Sequence, residues 1–177
     1  GFTGAKYKSF ATEVEAQRAY SGSPLPSSLG TRAKDGRSGS DYPIFPSIAV
    51  DGASSGNPGM CEYRGVNADS HEVIFASQQF FGTNNIAEFL AIVHAMALCL
   101  QQGVCTPIYS DSRTAMAWVR TGKCKTTLKP SEKSAFALNL IRRAEAWLAQ
   151  NPPEVRVPLL KWKTEVWGEI PADYGRK

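Results

Sequence analysis

The segment from Asn84 to Leu100 sets apolar residues at Ile86, Phe89, Leu90, Val93, Ala97 and Leu100, the spacing of a helix with one buried face. Asn84 or Asn85 is suited to cap its start, and Gly103 to stop it. Such a helix needs a broad apolar surface, and the flanking sequence supplies strands. Ile44 to Val50 is an apolar run ending at Asp51, and after the turn Gly52 to Gly59 come two strand-like stretches, Met60 to Asn67 and Val73 to Phe81. Pro107 to Ser110 reads as a short strand ending at Asp111, Ser112 to Arg120 and Ser131 to Gln150 as helices, and Val155 to Trp162 as a final strand. Three strands, a helix, a strand, two helices and a strand predict an α/β fold. An antiparallel meander is followed by parallel strands joined through helical crossovers.

At 177 residues with 42% hydrophobic and 20% charged side chains, the chain has room for one ordinary domain and a buried core, which excludes a two-lobed enzyme and disorder throughout. Residues 21–41 are rich in Ser, Gly and Pro and read as a flexible linker. Residues 1–20 read as a remnant of a second module, with Thr12 capping a short amphipathic helix and too few apolar residues for a core; the folded domain spans residues 42–177. No apolar run long enough to cross a membrane and no secretory signal are visible, so a cytoplasmic chain with reduced thiols is expected, without a membrane or an obligate protein partner. Cys61, Cys99, Cys105 and Cys124 form no CxxC pair and join no Cys/His cluster, which argues against zinc.

Four carboxylates fall where strands and helices should converge. Asp51 and Asp111 close adjacent parallel strands, Glu88 lies one turn into the long helix, and Asp173 follows the last strand. Crowded carboxylates repel, a cost that a hard oxygen-seeking cation such as Mg²⁺ offsets. Each residue also has a plainer role: an Asp-Gly turn for Asp51, a solvated helix position for Glu88, a helix start for Asp111-Ser112. His71 and His94 read as structural or surface residues, and the four Trp as core. The net charge of +4 favours anionic partners weakly; Arg113, Arg120, Lys123, Lys125, Lys129 and Lys133 form a basic stretch that suits phosphate tracking or, more plainly, a solvated surface.

In order and spacing, Val50 to Gly59 (VDGASSGNPG), Thr83 to Glu88 (TNNIAE) and Tyr109 to Ser112 (YSDS) resemble the three main signatures of type 1 ribonuclease H. The resemblance implies a ribonuclease H-like fold, a mixed five-stranded sheet flanked by helices. It also implies endonucleolytic cleavage of the RNA strand of RNA/DNA hybrids with two Mg²⁺ ions, Mn²⁺ being a possible substitute, leaving 3′-hydroxyl and 5′-phosphate ends. Asp51, Glu88 and Asp111 fall on the first three family carboxylates. Asp173 falls on the fourth, with Gly168 where the family carries Asn. The family's loop His is missing between Lys161 and Asp173, which leaves Lys163, Glu165 or Glu169 as substitutes. Substrate contacts are expected from Gly52, Asn57, Thr83, Asn84, Asn85 and Ser112 along the minor groove, and from Arg113, Lys123, Lys125 and Lys129 on phosphates. Residues 1–20 resemble the second half of a viroplasmin-like hybrid-binding module. A DNA-acting nuclease of the same superfold and a non-catalytic nucleic-acid-binding protein are the rivals; a nucleotide-binding domain is disfavoured because no GxGxxG or GxxxxGK loop occurs.

Overall fold

The computed structural model describes residues 42–173, so the expected N-terminal segment and linker lie outside the described residues. The centre of the sheet is β1 (Ile48–Ser54), which pairs antiparallel with β2 (Gly59–Asn67) from Ile48↔Asn67 to Ser54↔Cys61. Two short strands, β3 (Val73–Ala76) and β4 (Phe80–Gly82), both pair with β2. On the other side, β5 (Ile108–Ser110) runs parallel to β1, and β6 (Leu159–Lys161) runs parallel to β5. The sheet has six strands in the order β3-β2-β1-β5-β6, with β4 also on β2. The expected single third strand is therefore split. At the break, Ser77 N–H donates to Tyr63 O at 2.8 Å and its hydroxyl accepts from Tyr63 N–H at 2.9 Å, so a side chain replaces part of the ladder.

The helices are α1 (Asn84–Gln102), α2 (Arg113–Thr121), α3 (Ala135–Gln150) and a single turn, α4 (Thr164–Trp167). Alternation along the strands gives the sheet two apolar faces. One packs Val50, Ile108 and Cys61 against Ile86, Phe89 and Ile92 of α1, with α2 and α3 behind. The other gathers Ala49, Val66, Tyr109 and Trp162 under Ile170 and Ala172 of the C-terminal segment. Among the described residues α1 is the one helix long and apolar enough to span a bilayer, and its full burial of Ile86, Phe89 and Ile92 accounts for that hydropathy.

Several boundaries differ from expectation for local reasons. Strand β1 does not end at Asp51; the β2 partner carries it on to Ser54, so Asp51 sits mid-strand. The cap of α1 is Thr83, whose hydroxyl accepts from Ile86 N–H, rather than Asn84 or Asn85. Helix α3 begins at Ala135 because Ser131 and Ser134 close a side-chain-bonded turn, with Ser134 Oγ donating to Lys129 O at 2.8 Å. The last strand shrinks to Leu159–Lys161. Upstream, Pro153–Val155 form a 3-10 turn and Arg156 is spent capping α3, donating to Leu148 O at 2.6 Å and Asn151 O at 2.5 Å.

Candidate active site

Gly52 lets the site assemble. A Cβ there would lie 2.7 Å from both Ala87 Cβ and the Glu88 backbone nitrogen, so only glycine lets the first turn of α1 rest directly on β1 beside Asp51. Glu88 is thereby carried down to the sheet, where it is 8% exposed. Its carboxylate is held: Asn84 Nδ2 donates to Oε1 at 2.8 Å, and the Ser112 hydroxyl also bonds it. Strand β5 delivers Asp111 at its end, and Ser112 caps α2 by accepting from Ala115 N–H at 3.1 Å.

Asp51, Glu88 and Asp111 each offer an oxygen, and these oxygens lie within 4.8 Å of one another. Burial, joined by the charges of Asp111, Glu88 and Asp173, pushes Asp51 up to about 8. Burial and the Asp111 charge push Glu88 up to about 7, against the opposing hydrogen bonds from Ser112 and Asn84. Burial also raises Asp111, with Lys161 pulling it back and Asp173 and Glu169 adding to the rise. Asp51 and Glu88 so placed retain protons near neutrality unless a counter-charge joins them. Three crowded, partly desolvated oxygen donors fit a hard divalent cation, which removes that penalty.

Asp173 stands outside this triplet, yet its charge acts on both Asp51 and Asp111. Its segment is folded back over the second face of the sheet. Trp162 Nε1 donates to Gly168 O at 2.9 Å, Ile170 and Ala172 are buried, and Arg64 donates to Ala172 O at 2.9 Å and Asp173 O at 2.6 Å. Of the expected substitutes for the family's loop His, Glu169 bears electrostatically on Asp111, its charge adding to the rise.

The remaining expected contacts divide. Asn57, Thr83 and Lys129 line a cleft of about 440 Å³ with Pro58, Phe81, Thr127, Leu128 and Ser131. Asn85 is exposed at the start of α1, Arg113 is exposed on α2, and Asn84 is turned toward Glu88 rather than outward. Lys123, Lys125 and Lys129 are exposed on a stretch whose alternate residues Cys124, Thr126 and Leu128 turn inward. Lys123 pairs with Glu145 Oε2 at 2.9 Å, and Cys124 N–H donates to Glu145 Oε1 at 3.0 Å, tying this stretch to α3. His94 is structural as expected: it stacks on Phe75 at 4.1 Å and lies 3.3 Å from the Tyr63 hydroxyl. Sequence reasoning missed Arg64 and Lys161. Both lie within strands, where a charged residue reads only as solvent-facing, and no motif marks them.

A model of the RNase H family matches residues 46–156, a span that takes in Asp51, Glu88 and Asp111. The chain belongs to the RNase H family. As a ribonuclease H it is an enzyme, and its sheet with helices is the RNase H-like fold. Solved structures similar to this ribonuclease H include the N-terminal RNase H domain of a Mycobacterium tuberculosis protein, fused to maltose-binding protein, at 24% identity, covering 66% of this chain and 86% of that one with a TM-score of 0.40. LC11-RNase H1 in complex with RNA/DNA hybrid matches at 18% identity, 68% and 87% coverage and a TM-score of 0.41. RNase H1 from the halophilic archaeon Halobacterium salinarum matches at 19%, 66% and 83%, with 0.38. At such identities and TM-scores, the assignment to the RNase H family rests on the sequence match.

Proposed function

We propose that the chain cleaves the RNA strand of RNA/DNA hybrids endonucleolytically, using divalent cations, with two Mg²⁺ ions in the working site and Mn²⁺ able to replace them. The observation that carries this is the carboxylate triplet, Asp51, Glu88 and Asp111, with oxygens within 4.8 Å of one another inside a family-matched domain. Asp51, Glu88 and Asp111 would hold the cations, and Asp173 would complete their oxygen shell. Bound cations supply Lewis acidity and neutralise charge at a scissile phosphodiester.

The protein's own residues do the rest. Asn84 and Ser112 fix the rotamer of Glu88. Glu88 is then set to accept from a ribose 2′-hydroxyl beside the cut, the group that tells RNA from DNA. The turn around Asn57 and the start of α1 at Thr83 and Asn85 would follow the shallow minor groove. Gly52 contributes through its closeness to α1. Arg113, Lys125 and Lys129 would contact phosphates, where charge gives affinity without sequence preference.

The test is a labelled RNA/DNA hybrid incubated with Mg²⁺ or with chelator, alongside duplex DNA and duplex RNA. Internal cuts confined to the hybrid RNA, with 5′-phosphate and 3′-hydroxyl ends and abolished by chelator, are expected. Cleavage of duplex DNA instead would favour the DNA-acting rival, and cation binding without cleavage of any substrate the non-catalytic one.

A further inference from the structure

We propose that Arg64 is a positioning residue that sets the fourth carboxylate, Asp173, against the other three. This rests on the reading that Asp173 belongs to the cation site. In the antiparallel register Arg64 stands directly opposite Asp51, and residues paired in this way project from the same face of the sheet. That face is the one covered by the C-terminal segment, as Ala49 and Val66, the pair two residues away on the same face, show by packing with Ile170 and Ala172. From there the guanidinium makes a fork, Nε to Ala172 O at 2.9 Å and Nη2 to Asp173 O at 2.6 Å, across 109 residues of chain. A planar fork with two donors fixes direction as well as distance, which a lysine ammonium does not.

Both bonds go to main-chain oxygens, so they fix where the Asp173 side chain starts. At its other end the segment is held by Trp162 Nε1 on Gly168 O and by burial of Ile170. Arg64 secures the end nearest the site. A general staple for the C-terminal segment could sit anywhere along it; this one joins the residue facing the first carboxylate to the residue bearing the fourth.

The experiment compares wild type, Arg64→Met, Arg64→Lys, Asp173→Asn and the Arg64→Met/Asp173→Asn double variant. Mg²⁺ and Mn²⁺ binding is measured by calorimetry on substrate-free protein, and kcat and KM on a hybrid. Arg64→Met should weaken cation binding by about 10- to 100-fold, the usual range for a residue that orients a ligand. It should lower kcat with KM little changed, Arg64→Lys should recover part of the loss, and the double variant should be no worse than Asp173→Asn alone. Unchanged cation binding in Arg64→Met, or losses that multiply in the double variant, would overturn the proposal. Should Arg64→Met lose its circular-dichroism signature of folding, Arg64→Lys carries the comparison, and wild-type binding in that variant overturns it equally. A wild-type chain that binds cations but leaves the hybrid intact would defeat the hybrid-cleavage reading alone, since the calorimetric comparison still decides the role of Arg64.

Discussion

The side-chain amide of Asn84 donates to Glu88 Oε1 at 2.8 Å, one helical turn away, so the first turn of α1 both approaches the sheet and holds its own carboxylate in place. This bond favours the ionised form of Glu88 and partly offsets the rise that burial imposes. Replacing Asn84 with Ala should therefore raise the Glu88 pKa further and free its rotamer. A loss of about tenfold in kcat at pH 7 is expected, the scale of one hydrogen bond to a charged group. The loss should shrink toward pH 9, where Glu88 ionises regardless. A pH-rate profile identical to wild type would contradict it.

Asp51→Asn should abolish cleavage while retaining hybrid binding, because charge at the centre of the site is lost and the surrounding surface is not. The same variant should be more stable than wild type in chelator at high pH. Asp51 is held at about 8 in the folded chain against 3.8 for an ordinary aspartate, so the native state keeps a proton that the unfolded state has released. Stability then falls as pH rises between those values and levels off above the upper one. An Asn there is spared that loss. Melting temperatures in chelator at pH 5 and pH 8.5 check it: the variant's advantage should grow with pH.

Cation stabilisation of the wild-type chain should run the same way. Protons and cations compete for Asp51 and Glu88, raised to about 8 and about 7, so cations gain as pH climbs through that interval. The rise in melting temperature on adding excess Mg²⁺ should be small at pH 6 and largest near pH 8.5. A Mg²⁺ effect independent of pH would mean that these carboxylates do not bind it.

Helix α1 and the three acidic positions around it were legible because each carries a local signature: apolar periodicity, an Asp-Gly step, a Glu one turn past an Asn pair. The placement of Asp51 mid-strand was not, since strand length here is set by a partner, β2, that continues to Cys61. The last strand was overread because Val155 and Val157 look like strand residues, whereas Arg156 between them caps the carbonyls of a helix that sequence does not reveal as its neighbour. Arg64 reaches the segment that bears Asp173, and Lys161 reaches Asp111, through register with distant strands, information absent from any local window.

Gly52→Ala should be among the more damaging single-methyl additions in the domain. The new Cβ would meet the Ala87 Cβ and Glu88 backbone at 2.7 Å, and neither is the far end of a flexible chain. Overpacking at such a point costs roughly 1–3 kcal/mol or more. Because relief requires α1 to lift away from β1, kcat should fall alongside the urea midpoint. A folded variant with wild-type kcat would show that Glu88 tolerates the displacement.

The exposed lysines on residues 123–129 are not equivalent. Lys123 and Glu145 form an ion pair whose side chains are 68% and 20% exposed, a pair worth little to stability but enough to occupy the ammonium. Lys125 and Lys129 project from the same side of that stretch, and Lys129 also lines the cleft shared with Asn57 and Thr83. Lys125→Ala with Lys129→Ala should raise KM for the hybrid and leave kcat nearly unchanged, as expected when binding is lost equally from ground and transition states. The slope of log affinity against log salt should flatten by about 0.7 to 0.9 for each phosphate contact removed. Lys123→Ala should shift both quantities less, since its charge is already shared with Glu145. Equal effects of all three lysines would show that the ion pair opens when substrate binds, and an unchanged KM in the Lys125/Lys129 variant would remove this stretch from the substrate surface.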